Sequence, residues 1–210
     1  MITSTIIVVL AIIPLFLFLS ATSKILVVFL AIVSITYNLP IFSIGDKKFG
    51  LRNIPGIKLF LIAFVWSLSV VLLPILELEN NTVLVTSRES ILLIAKRFLL
   101  IAAITIPFDI RDLFQDKSNE LKTIPVLLGE KAAYLFCQVL LGAYVAMLFL
   151  FTDSINADFI ALTLTAILAG WLIFKSNWNK NEYYYFFYLD GVMILQFVLL
   201  FTFDFLLNKL

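Results

Sequence analysis

The sequence has no histidine at all and a single cysteine, Cys137, in 210 residues. Without imidazole there is no His-ligated metal site and no histidine general base. One thiol excludes a disulfide within the chain and a thiolate metal cluster. Lying in an apolar run, Cys137 reads as a small packing or lipid-facing residue. Charge is also sparse: Asp, Glu, Lys and Arg make up 14% of the chain, and 15 basic against 14 acidic residues leave a net charge of +1. That balance lacks the basic footprint of a nucleic-acid binder. No basic residue precedes Lys24, so the leading apolar stretch lacks the charged start of a signal peptide and reads as a retained membrane helix. No acidic residue precedes Asp46. Low-complexity linkers and internal repeats are absent as well.

What is abundant is apolar surface. Hydrophobic residues make up 62% of the chain, against about 45–50% in soluble domains, more than a water-facing fold of this size can hide. A membrane-crossing helix needs about 20 mostly apolar residues. By that rule seven stretches are predicted to span: 2–19, 23–40, 57–76, 90–108, 130–151, 157–174 and 184–206. The runs are continuous rather than alternating, which argues against transmembrane strands. The first two form a helical hairpin around Ser20-Ala21-Thr22-Ser23, and Pro14 kinks the first. The expected fold is an all-α polytopic bundle, a single transmembrane domain over 1–210.

Basic residues set the orientation. One set of connections carries Lys47, Lys48, Arg52, Lys58, Arg111, Lys117, Lys122, Lys131, Lys175 and Lys180; the other carries Lys24, Arg88 and Lys209. The positive-inside rule puts the first set, and the N-terminus, in the cytoplasm. The run Tyr183-Tyr184-Tyr185-Phe186-Phe187-Tyr188 opens the last span. It reads either as an interfacial aromatic belt or as a wall that faces a cation.

The chemistry concentrates where the fourth span ends, in Asp109-Ile110-Arg111-Asp112-Leu113-Phe114-Gln115-Asp116. At spacings of three and four residues, Asp109, Asp112 and Asp116 share one helical face. Carboxylates so placed repel unless a cation lies between them. Magnesium, a hard ion held by one or two carboxylates plus substrate phosphates, suits such a group. The same residues, mixed with Arg111, Lys117, Glu120 and Lys122, also read as a solvated loop with local ion pairs.

Beyond Asp116 the chain continues Leu121-Lys122-Thr123-Ile124-Pro125-Val126-Leu127-Leu128-Gly129. Together, the aspartate pair Asp112 and Asp116 and this tail resemble the second aspartate-rich motif of the UbiA-type intramembrane prenyltransferases. Tyr37-Asn38-Leu39-Pro40, then Leu51-Arg52-Asn53-Ile54-Pro55-Gly56-Ile57-Lys58 and Trp66, resemble that family's mid-chain connection more weakly. The two matches cover about residues 30–135. The resemblance implies helices packed around a central cavity and Mg2+-dependent transfer of a prenyl group. The donor would be an isoprenyl diphosphate and the partner a lipophilic, usually aromatic, acceptor within membrane lipid. It makes Asp112 and Asp116 the metal-diphosphate ligands, Asp109 an accessory acid and metal ligand, and Lys122 a partner of diphosphate oxygens. A bacterial cytoplasmic membrane would be the setting.

Two departures stand beside it. The family's first aspartate-rich motif cannot precede Asp46, so the first two helices of the family appear as missing and the count falls to about seven. Glu120 stands where the family usually has glycine. A non-catalytic family member that binds an isoprenoid or a partner protein is therefore the alternative expectation. Two other residues merit attention. Arg97 precedes Asp112 by about 22 Å of helix on nearly the same face, so it either faces the same cavity from the far side, as a substrate contact, or snorkels to the interface. Asp190, inside the last apolar stretch, is a candidate for function.

Overall fold

In a computed structural model, the protein is described over residues 12–39, 42–44, 47–49, 51, 54–80, 85–152, 154–177 and 179–207. Most of the first expected span therefore lies outside the described residues. Residues 12–18 are helical, and the chain breaks at Leu19 and Ser20 before helix α1 (Ala21–Asn38). Ser20 caps α1, its hydroxyl accepting from the Ser23 N–H at 3.2 Å.

The all-α expectation needs one small correction. Strands β1 (Phe42–Ile44) and β2 (Lys47–Phe49) pair antiparallel, with Phe42 opposite Phe49 and Ile44 opposite Lys47.

Helix then dominates. α2 (Ile57–Ser67), a π-helical turn (Leu68–Leu72) and α3 (Leu73–Asn80) run on as one rod. Pro74 has no N–H to offer the preceding turn, and a wider turn absorbs the missing bond. α4 (Ser87–Arg111) opens with a reciprocal cap: the Thr86 hydroxyl accepts from the Glu89 N–H, and the Glu89 carboxylate from the Thr86 N–H. Its 25 residues reach about 37 Å, enough to cross a hydrocarbon core of about 30 Å. Short α5 (Leu113–Ser118) and α6 (Ile124–Leu128) lead into α7 (Glu130–Phe151). α8 (Ala157–Lys175) is capped by Asn156. A second π-helical segment (Tyr184–Leu189) feeds α9 (Gly191–Leu207).

The core forms around the second half of α4. Leu100, Ile101, Ala102, Ala103, Ile104, Ile106 and Ile110 are all buried, on every side of that helix. A helix apolar all round belongs in the middle of a bundle; here α2, α7 and α8 surround it. Cys137 sits in the same core, so it packs rather than facing lipid.

Five described segments are long and apolar enough to cross a membrane: Ile57–Leu78, Ser87–Arg111, Glu130–Phe151, Ala157–Lys175 and Tyr184–Leu206. They coincide with the last five expected spans. The second expected span is α1, apolar but shorter. Large apolar side chains point outward, Phe174 at 77% exposure and Phe149 at 71% among them. Water does not tolerate so much contiguous apolar surface, and hydrocarbon does.

Candidate functional site

The site lies where α4 ends. Asp109 belongs to the last turn of the buried half of α4 and is 1% exposed. The helix stops at Asp112, whose φ of −88° and ψ of 8° leave the helical region. Beyond that break α5 carries Asp116, 5% exposed. The two buried carboxylates share one cation. Lys58 Nζ lies 2.6 Å from Asp109 Oδ1 and 3.6 Å from Asp116 Oδ2. The longer contact exceeds a hydrogen bond, and Asp109 Oδ2, Asp116 Oδ2 and the buried Thr123 hydroxyl have no hydrogen-bond partner among the described residues.

Lys58 is held there by the backbone. Gly56 adopts φ 72°, and its N–H donates to the Lys122 carbonyl at 3.1 Å. This bond fastens the start of α2 to the Lys122-Thr123-Ile124-Pro125 segment, joining the two stretches that carry the resemblance. Residue 56 needs the left-handed region here, which glycine enters without a Cβ clash. Gly129, at φ 82° and ψ 161°, is in a region that is nearly glycine's own and turns the chain into α7.

Asp112 faces another partner. Arg111 Nε and Nη2 donate to its two carboxylate oxygens at 2.7 and 3.1 Å, a two-pronged ion pair. The same guanidinium lies 5.5 Å from the Phe108 ring centre, 5.2 Å from Tyr185 and 5.6 Å from Phe186. Part of the aromatic run thus faces a cation belonging to the protein itself. Arg111 Nη1 is buried without a hydrogen-bond partner among the described residues.

Above these charges opens a cavity of about 450 Å³. Lys58, Asp109, Arg111, Asp112 and Asp190 line its charged side; Ile62, Trp66, Ile101, Ile104, Phe108 and Met193 line the rest. The arrangement is amphiphilic, with two cations and three carboxylates on one side and apolar walls on the other. A larger cavity, of about 590 Å³, lies at the other end of the bundle, away from the acidic cluster.

The expected site residues separate. Asp109 and Asp112 line the smaller cavity; Asp116 sits behind it on Lys58. Of the three aspartates, Asp109 and Asp116 share Lys58 and Asp112 pairs with Arg111. Among the described residues no three His, Cys, Asp or Glu groups gather as one metal-donor set. Lys122 is exposed and lines neither cavity; its carbonyl rather than its ammonium is engaged. Arg97 lines the larger cavity, so it does not face the acidic cluster. Asp190 does line the site. Sequence reasoning missed Lys58 and Arg111 as site residues. Lys58 carried a usable signal, its place two residues after Gly56 in the mid-chain match. Glu120 has φ 55°, a left-handed turn where the resembled motif has glycine.

No family model, curated protein or solved structure matches the chain.

Proposed function

We propose that this chain is a UbiA-like membrane protein that takes an isoprenyl diphosphate into the smaller cavity and transfers its prenyl group to a lipophilic acceptor. One observation carries the reading: two cations, Lys58 and Arg111, stand at the edge of an apolar chamber that crosses toward Trp66 and Met193. The motifs around Asp109–Gly129 support it independently. In this reading the mouth faces the cytoplasm of a bacterial cell.

The chemistry follows from the residues. To gain positive charge the diphosphate draws Arg111 from Asp112 and Lys58 from Asp109. Heterolysis breaks the bond between the allylic C1 and oxygen, and the diphosphate leaves with the electron pair. Phe108 and Trp66 offer ring faces to the allylic cation. A carbon of the acceptor attacks C1, and the displaced proton passes to Asp190. The resemblance implies magnesium, yet Lys58 and Arg111 already hold the three carboxylates, and the donor set does not fit an ion as it stands.

The test is incubation of membranes containing the full chain with labelled geranylgeranyl diphosphate, with and without magnesium. Release of diphosphate together with a prenylated lipid is expected. Saturable binding with no release would leave the non-catalytic, isoprenoid-binding reading, which Lys58 in the cation position favours. Neither binding nor release, at any magnesium concentration, would overturn both.

A further inference from the structure

The larger cavity, of about 590 Å³, has no role in the reading above. It lies between α4, α7, α8 and α9 at the end where α4 begins and α9 finishes, and Arg97 reaches it from α4. At 1.5 Å per residue, Arg97 is about 15 Å from the start of α4 and about 21 Å from its end. It stands near the middle of a segment long and apolar enough to cross a membrane. A charge at that depth is costly and points to function by default.

Neutral groups hold Arg97 in place. Its Nη1 donates to Gln196 Oε1 at 2.6 Å, and Gln196 Nε2 donates to the Tyr144 hydroxyl at 3.2 Å. Gln196 and Tyr144 are both buried. This chain of hydrogen bonds ties the guanidinium to α9 and α7 and keeps it from snorkelling outward. Among the described residues, no ion pair includes Arg97 and no hydrogen bond uses its Nε and Nη2 N–H groups. Of the other charged residues lining the cavity, Asp158 acts on Lys96, and Asp204 has an interaction of its own. The cavity also opens sideways. Phe197 of α9 and Leu93 of α4 line it, and both are exposed on the lipid-facing surface, at 68% and 42%.

A guanidinium bonded to a neutral amide attracts an anion, and the two N–H groups on its Nε–Nη2 edge match the two oxygens of a carboxylate. Depth and the sideways opening decide which anion. A ligand that enters from lipid crosses hydrocarbon uncharged, because an isolated ion is far too costly there. A phosphodiester has no neutral form at physiological pH, and its headgroup stays at the membrane surface. A carboxylic acid does have one, the protonated form that apolar surroundings favour. We propose that the larger cavity is a binding site for a long-chain fatty acid. The acid arrives protonated, gives its proton to water in the cavity, and stays as the carboxylate, which accepts from Arg97 Nε and Nη2. Its alkyl chain leaves past Phe197 into the surrounding lipid. Gln196 and Tyr144 position the guanidinium without neutralising it, so its charge is kept for the ligand.

Native mass spectrometry of the full chain in detergent, with oleic acid, methyl oleate and phosphatidylglycerol added in equal amounts, tests this. Retention of one oleate and no methyl oleate is expected, because the ester has the same chain and no carboxylate. Arg97→Gln should weaken oleate retention about tenfold or more, the scale of hydrogen bonds to a charged group. Gln196→Glu is the second variant and leaves the interior satisfied: the new carboxylate accepts from Arg97, and the Tyr144 hydroxyl turns to donate to it. It should weaken oleate retention by a similar factor, because the chain then supplies the guanidinium with its own counter-ion. Methyl oleate retained as well as oleate, phosphatidylglycerol retained in its place, no oleate retained by the parent, or oleate retention unchanged by Gln196→Glu would each overturn the proposal.

Discussion

Replacing Lys58 by methionine removes the cation shared by two buried carboxylates and keeps most of the side-chain volume. Lys58 is 18% exposed at its side chain and Asp109 2%, so solvent screens the pair little. At an effective dielectric of about 20, the 2.6 Å contact is an attraction of about 6 kcal/mol and the 3.6 Å contact of about 5. Desolvation of three charged groups takes back most of that sum. Truncating one member of a buried pair nonetheless costs about 3–5 kcal/mol, because the partner charge is left buried alone. The assay is denaturant titration of the purified chain in detergent, read by tryptophan fluorescence. Lys58→Met should lose about 3–5 kcal/mol, and adding Asp109→Asn should restore a large share, since the second change removes the stranded charge. Magnesium gives a further discriminating arm. With the ammonium gone, Asp109 and Asp116 face each other with nothing between them, so millimolar magnesium should stabilise Lys58→Met while leaving the parent unchanged. A loss under about 1 kcal/mol, the range of a surface pair, would refute the reasoning. So would additive costs of the two substitutions.

Glu120→Gly should stabilise the chain by about 0.5–1 kcal/mol in the same titration, because relief of the left-handed strain at φ 55° exceeds the entropy that glycine adds to the unfolded chain. Gly129→Ala should destabilise it by about 1–3 kcal/mol, given φ 82° and ψ 161°; a neutral result would mean the turn into α7 is not held as described. Arg111→Lys should weaken binding of labelled geranylgeranyl diphosphate by about tenfold with little loss of stability, since an ammonium cannot reproduce the planar fork or the stacking on Phe108 and Tyr185.

Much of the fold was legible because the bilayer imposes a simple length rule. The last five apolar runs became five helical segments long and apolar enough to cross a membrane, their boundaries within a few residues, because a helix satisfies its own backbone in hydrocarbon. The β-ribbon at Phe42–Phe49 was not foreseen, since two three-residue strands leave almost no periodic signal. The candidate site was legible in part. Carboxylate density at the end of α4 pointed to Asp109 and Asp116, but not to the break at Asp112 that separates α4 from α5. A corner depends on tertiary closure, here the bond from Gly56 to Lys122 and the ion pairs of Lys58, which no local pattern records. Lys122 was singled out by motif position, while the ammonium that meets the acids comes from a residue distant in sequence. Arg97 was expected to share the cavity of the aspartates or to snorkel, and it lines the other cavity; nothing in one sequence could separate one continuous chamber from two.

The central claim is that the smaller cavity takes an isoprenyl diphosphate with its tail among Trp66, Ile104 and Met193. Photolabelling the full chain in membranes with an isoprenyl diphosphate that carries a benzophenone at the tail end, followed by peptide mapping, addresses it most directly. Label concentrated on α2, α4 and α9 at those wall residues, and displaced by unlabelled diphosphate but not by the parent alcohol, is the predicted result. Label scattered over the lipid-facing surface, or equally displaced by the alcohol, would contradict the account.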